Sequence, residues 1–120
     1  MKTSESRIHI LNISVRVLSG LNTVVDLEGA MDLSNSHGLR TKLFETLAAT
    51  PRLVLNMSGI RFVDSAGIAT LLELLKQARD LQKDFVLFGV GATVRDVLRL
   101  TSLLGVFRVF DTEEHALADQ

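Results

Sequence analysis

Asp64, Ser65 and Gly67 have the types and spacing that most readily support chemistry, in the run Gly59-Ile60-Arg61-Phe62-Val63-Asp64-Ser65-Ala66-Gly67-Ile68. The hydrophobic period changes there. Leu53 to Met57, just after Pro51, is a short apolar run of the kind found in strands covered on both faces. From Ile68 onward, Leu71, Leu72, Leu75, Ala78 and Leu81 recur at helical spacing, with Glu73, Lys76, Gln77, Arg79, Asp80 and Lys83 opposite. A helix start needs a cap, and either Asp64 or Ser65 has the oxygen for it. If Asp64 caps, Ser65 falls in the first turn with its hydroxyl free. Gly67, lacking a side chain, would then keep that hydroxyl's surroundings open. A small hydroxyl beside the amides of a helix start suits a phosphate, because the helix dipole favours an anion there.

Other chemistries fit less well. A serine hydrolase elbow needs Gly-x-Ser-x-Gly, and Val63 stands where the first glycine belongs. His9, His37 and His115 fall in three separate elements, without metal-ligand spacing. Gly89-Val90-Gly91 begins like a dinucleotide fingerprint, but Val94 replaces its third glycine. A tight strand-to-helix turn accounts for these glycines more simply. There is no Gly-x-x-x-x-Gly-Lys-Ser/Thr loop for nucleotide and no cysteine for thiolate chemistry or disulfides. Asp32 reads as a loop or cap carboxylate. Leu100, Leu103 and Leu104 form a cluster that packs under the last strand or leaves a leucine exposed.

The elements that must hold Ser65 follow from the pattern. Residues 1–7 read as a flexible tail. Ile8 and Ile10, then Ile13, Val15 and Val17, alternate in two registers, which predicts a bulge or break near Leu11-Asn12. Ser19-Gly20-Leu21-Asn22 carries turn chemistry, and Thr23 to Leu27 returns as a strand that Gly29 ends. Ser34 or Ser36 caps a helix running to about Thr50, with Leu39, Leu43 and Leu47 inward and Phe44 widening the stripe. After the helix at Ser65, Phe85 to Phe88 is another buried strand, and Val94, Val97 and Leu98 stripe a short helix. Val106 to Phe110 forms a short edge strand, and Asp111 with Glu114 makes a capping box for a last helix through Leu117. Strands alternating with helices imply a partly parallel sheet, which the first hairpin makes mixed.

Composition bounds the rest. At 120 residues, 47% hydrophobic and 22% charged, the chain is one ordinary globular domain. A net charge of −1 argues against a nucleic-acid partner. Met1 to Arg7 lacks the apolar core of a signal peptide, and no apolar stretch approaches the ~18 residues of a membrane span. A cytoplasmic location is expected.

Asp64-Ser65-Ala66-Gly67, after a strand and a Gly-Ile-Arg-Phe-Val link, resembles the phosphorylation loop of STAS domains, and of stand-alone anti-sigma factor antagonists in particular. Two further stretches share the likeness: Leu27-Glu28-Gly29-Ala30-Met31-Asp32 ahead of a helix, and Phe88-Gly89-Val90-Gly91 followed by Val94-Arg95-Asp96-Val97-Leu98. The resemblance spans about Ile8 to Ala118. It implies an α/β fold: a STAS-type single domain over residues 8–119, with a mixed, mostly parallel sheet, an N-terminal hairpin and about four helices.

The resemblance also implies a binding module rather than an enzyme, with no catalytic residue, cofactor or metal. Ser65 would be the phosphorylated residue, and Asp32, Ser34, Asp64, Ala66, Gly67 and Ile68 would form the partner-binding face. The partners implied are an anti-sigma factor/serine kinase that supplies its own ATP and a serine phosphatase that resets phosphorylated Ser65. Nucleic-acid binding and direct membrane insertion are not implied. The chain departs from the pattern at Asn56, where Asp is common, at Ala66, where Ser or Thr is common, at Met31, which replaces Leu, and at Gly91, where Ser is frequent. None of these removes the acceptor serine. Two other readings stay open: a STAS subunit of a lipid-transporting ABC membrane complex and, more distantly, a small serine hydrolase using Ser65.

Overall fold

The computed structural model describes residues 10–18 and 21–119. The expected tail, Ile8 at the start of the first expected strand register, His9 and Ser19-Gly20 lie outside the described residues. Strands β1 (Leu11–Val17) and β2 (Asn22–Met31) are followed by helix α1 (Ser36–Ala48), β3 (Arg52–Val63) and α2 (Ser65–Asp80). Then come β4 (Asp84–Phe88), α3 (Ala92–Leu100), a 3-10 turn (Leu104–Val106), β5 (Val109–Phe110) and α4 (Glu113–Ala118). The five strands form one sheet in chain order. β1 pairs antiparallel with β2, and every other neighbouring pair is parallel. The α/β domain with its mixed, mostly parallel sheet, N-terminal hairpin and four helices is thus the expected fold.

Alternation along the strands divides the interior. Val25, Leu27, Leu53, Leu55, Met57, Phe85 and Leu87 face a large core closed by α1, α2 and α3, where Leu39, Leu43, Leu47, Leu71, Leu74 and Leu98 are fully or almost fully buried. Val24, Val54, Val86 and Phe88 face the other way, into a smaller cluster under Ala116 of α4. β3 is covered on both sides, and so its sequence is apolar at successive residues rather than at alternate ones.

Several local expectations change. β1 is unbroken from Leu11 to Val17, each residue opposed by one of β2. The irregularity lies one strand further in, where the β2–β3 register shifts twice, between Asp26 and Glu28 and between Gly29 and Ala30. Gly29 does not end β2. It sits at φ +127°, where a Cβ would lie 2.2 Å from the Ile10 carbonyl oxygen, and the strand runs on to Met31. The shift carries β2 past the kink so that Asp32 emerges beside Asp64.

Neither Ser34 nor Ser36 caps α1; Asn35 holds that position, without a side-chain bond to the helix. Thr112, not Asp111, caps α4 by accepting from the His115 amide at 3.2 Å. On α2 the buried stripe runs through Leu74, whereas Leu81 is exposed because the helix has already ended. Val15 and Val17 are exposed on β1, the edge strand of the sheet, across an open groove from Lys42, Glu45 and Thr46 of α1. The last strand shrinks to Val109–Phe110, because Leu104–Val106 coils into the 3-10 turn.

Candidate functional site

β2 and β3 run parallel, so the residues leaving their carboxyl ends, Asp32 and Asp64, emerge at the same edge of the sheet. The two exits are fastened together: the Asp64 amide donates to the Met31 carbonyl at 3.1 Å. Asp64 is the cap of α2. Its Oδ1 accepts from the Ala66 amide at 2.9 Å and the Gly67 amide at 3.0 Å. Its Oδ2 accepts from the Leu33 amide at 3.1 Å, so the same carboxylate pins the loop after β2. Of the two capping candidates, Asp64 fills the role.

Ser65 is therefore the first residue of α2, and it is exposed. Other hydroxyls are engaged: Thr70 on α2 is buried and donates to the Ala66 carbonyl at 3.1 Å, and Ser58, further back on β3, donates to Asn56 Oδ1 at 2.7 Å. Two first-turn amides that would welcome an anion already serve Asp64. A phosphate on Ser65 would accordingly sit beside a carboxylate, without those two donors.

Gly67 plays a different part from keeping the hydroxyl open. It is buried, and a Cβ there would stand 2.6 Å from Val63 Cγ2 and 2.7 Å from the Met31 carbonyl oxygen. Its missing side chain lets the start of α2 press against the ends of β2 and β3. Ile68 is only 9% exposed and packs into the main core.

Asp32 is also buried, at 6% exposure. Its Oδ1 accepts from the amide and hydroxyl of Ser34, at 2.9 and 2.5 Å. Asn35 closes the loop from the other side, accepting from the Asp32 amide at 3.1 Å and donating to the Ala30 carbonyl at 2.8 Å. The loop of residues 32–35 is thus braced by its own side chains. The six expected site residues around Ser65 do gather at one corner. Asp64, Ala66 and Ser34 reach its surface, whereas Asp32, Gly67 and Ile68 shape it from below. Sequence reasoning passed over Leu33, Asn35 and Phe62; an asparagine three residues after Asp32 is the one local signal among them.

A second polar group lies on the sheet face that α4 only partly covers. Arg16 Nε donates to Asp26 Oδ2 at 2.6 Å and Arg16 Nη2 to Glu113 Oε1 at 2.7 Å. Asn56 Nδ2 donates to Asp26 Oδ1 at 2.7 Å. The hydrogen bonds from Arg16 hold the Asp26 carboxyl below its ordinary value, with further help from Asn56, against the desolvation that raises it. This explains Asn56: an aspartate at that position would face Asp26 with no proton to donate. Among the described residues, no group of three or more His, Cys, Asp or Glu side chains is arranged to hold a metal ion, and no helix is long and apolar enough to cross a membrane.

The family model described as STAS domain matches residues 12–116. BtrV of Bordetella bronchiseptica, named as an anti-sigma factor antagonist, is 29% identical over 93 residues, which is 77% of this chain and 80% of that protein. The crystal structure of an anti-sigma factor antagonist from Mycobacterium paratuberculosis superposes with a TM-score of 0.82 at 24% identity, covering 91% of this chain and 92% of that one. The anti-sigma factor antagonist SpoIIAA matches in its unphosphorylated form with a TM-score of 0.75 at 22% identity, over 88% of this chain and 93% of that one. Its phosphorylated form, described as a Bacillus cell fate determinant, matches with 0.70 at 22% identity, over 89% and 97%.

Proposed function

The chain belongs to the STAS domain family, and on that premise we propose that it is an anti-sigma factor antagonist switched by phosphorylation of Ser65. The observation that carries this reading is the Ser65 hydroxyl: exposed, in the first turn of α2, with the cap already filled by Asp64. The names of BtrV and the Mycobacterium protein support the role, and the phosphorylated form of SpoIIAA supports the modification.

In this reading the unphosphorylated corner docks on an anti-sigma factor with a serine kinase fold and so releases that partner's client. Ser34, Asp64, Ser65 and Ala66 supply contact surface. Asp32, Gly67 and Ile68 hold that surface in shape. The kinase uses its own ATP, the Ser65 oxygen takes the γ-phosphoryl group, and a serine phosphatase restores the hydroxyl. The protein acts as a regulatory module in the cytoplasm, without nucleic acid and without inserting in a membrane.

The physics of the switch is electrostatic. A phosphoserine adds about −1.5 to −2 charges at neutral pH. On the free protein that charge is hydrated, and repulsion from Asp64 is screened. In an interface water is removed, and a like-charged or unpaired contact costs several kcal/mol, with each ~1.4 kcal/mol a tenfold loss of affinity. Binding is therefore lost while the fold is kept.

The test begins with affinity capture on the Ser65→Ala protein, which holds its partner because it cannot be modified. The captured kinase is then mixed with the wild-type chain and ATP, and the phosphate is mapped by tandem mass spectrometry. Phosphate on Ser65 is expected. Phosphate found only on Ser58, Thr70 or Ser102 overturns the assignment, and capture of a membrane ABC ATPase in place of a kinase points to the transport reading.

A further inference from the structure

We infer that Leu33, with Phe62 on the adjoining strand end, is the apolar anchor by which the kinase grips the Ser65 corner; this rests on the reading of Ser65 given above. Leu33 is 79% exposed and Phe62 45%. Both lie on segments that meet at the corner, the loop after β2 and the end of β3. Leu33 is hydrogen-bonded through its amide to Asp64, and Phe62 lies two residues before Asp64 at the end of β3. Of the other exposed large apolar side chains, Ile10 precedes Leu11 at the same end of the sheet, but on the edge strand with β2 between it and β3; Val15, Val17 and Leu21 belong to the rest of the edge hairpin, and Leu81, Leu100 and Val106 fall at or beyond the far ends of α2 and α3.

Exposure alone would say little. What distinguishes Leu33 is that its backbone is already held in place. Asp64 fixes its amide, and the residues on both sides are tied by the Asp32–Ser34 and Asn35–Ala30 hydrogen bonds. A side chain presented on a braced loop loses little backbone freedom on binding, and so its burial converts efficiently into affinity. Nothing in the fold calls for leucine there, since the loop's bonds come from its neighbours' side chains and its own backbone. The occupant is committed by position: whatever phosphorylates Ser65 must bring its active site to α2's first turn, one hydrogen-bonded residue away. The surface that fits is an apolar pocket on the kinase beside its phosphate-transfer site. A side chain buried in a partner's pocket and ringed by contacts that exclude water is the usual energetic centre of such interfaces. The charge added at Ser65 would then sit at the edge of a dry contact, where it is least tolerated.

The experiment uses the kinase captured on Ser65→Ala, purified, and titrates it calorimetrically with full-length variants. Burying a leucine corresponds to roughly ten- to hundredfold in affinity, so Leu33→Ala is expected to bind at least about tenfold more weakly, at an unchanged melting temperature. Leu33→Met, which keeps the apolar bulk, should bind within about threefold of wild type. Leu100→Ala, which removes a leucine that is 84% exposed at the far end of α3, should bind like wild type. The Leu33→Ala loss should persist at high salt, whereas the Ser65→Asp loss should shrink as salt screens it. If Leu33→Ala binds within about twofold of wild type while Ser65→Asp is defective, the anchor is refuted and the Ser65 switch stands. If Ser65→Asp binds like wild type, the switch itself fails.

Discussion

Replacing Asp64 tests how the corner is built, because one carboxylate ties two loops. In Asp64→Ala the Ala66 and Gly67 amides lose their acceptor. Loss of such a cap costs about 0.5–2 kcal/mol, typically near 1. The Leu33 amide also loses its partner, but it is exposed, so water replaces the bond and the net loss is about 0.5–1 kcal/mol. The sum is roughly 1–3 kcal/mol. For a domain of this size each kcal/mol lowers the melting temperature by about 3–5 °C, giving a fall of about 3–15 °C. Asp64→Asn separates the two parts. Its amide oxygen still caps α2, but its NH2 group cannot accept from Leu33, so a fall of only about 2–5 °C is expected. Thermal unfolding followed by circular dichroism reads the totals, and amide hydrogen exchange reads the sites. Leu33 should exchange faster in both variants, Gly67 only in Asp64→Ala. An alanine variant that melts within about 2 °C of wild type, or a Leu33 amide unchanged in both, would refute this account of the corner.

Other consequences follow from the same structure. Gly67→Ala should lose about 1–3 kcal/mol in a denaturant titration, because the new methyl meets Val63 and the Met31 carbonyl. Asn56→Asp should destabilise the domain by about 1–3 kcal/mol at neutral pH, and by less in acid, since protonating one of the two facing carboxyls restores a donor. Asp26 has a depressed pKa in the folded state, so its contribution to stability is fully present above the ordinary carboxylate value and is lost as pH falls through the folded one. A pH series of melting curves should therefore show a flatter acid limb in Asp26→Asn than in wild type.

Much of the fold was legible because period and punctuation agree. Pro51 and the doubly apolar run of β3 marked the central strand, and the switch to helical spacing near Asp64 marked α2. What stayed hidden depends on contacts between distant segments. The β2–β3 register shifts and the left-handed Gly29 answer to the neighbouring strand and to Ile10, which lie far away in the chain. Local rules favoured a serine cap for α1, but Asn35 took the position and turned its side chain back to brace Asp32. At the site, Ser65 stood out by its place at a period change. Gly67 was picked out but its work misread, since only the packed ends of β2 and β3 show that it is a close approach and not an opening. Leu33 carried no signal, because a leucine in a loop looks like core until its exposure is known.

The central claim is that phosphate on Ser65 abolishes binding without unfolding the domain. The direct measurement is a calorimetric titration of the captured kinase with the Ser65-phosphorylated chain, the unmodified chain and Ser65→Ala, each also melted in the same buffer. Ser65→Ala is expected to bind like the unmodified chain, and the phosphorylated chain to bind at least about tenfold more weakly while melting within a few degrees of it. A phosphorylated chain that binds as tightly as the unmodified one, or that loses binding only because it has unfolded, would contradict the claim.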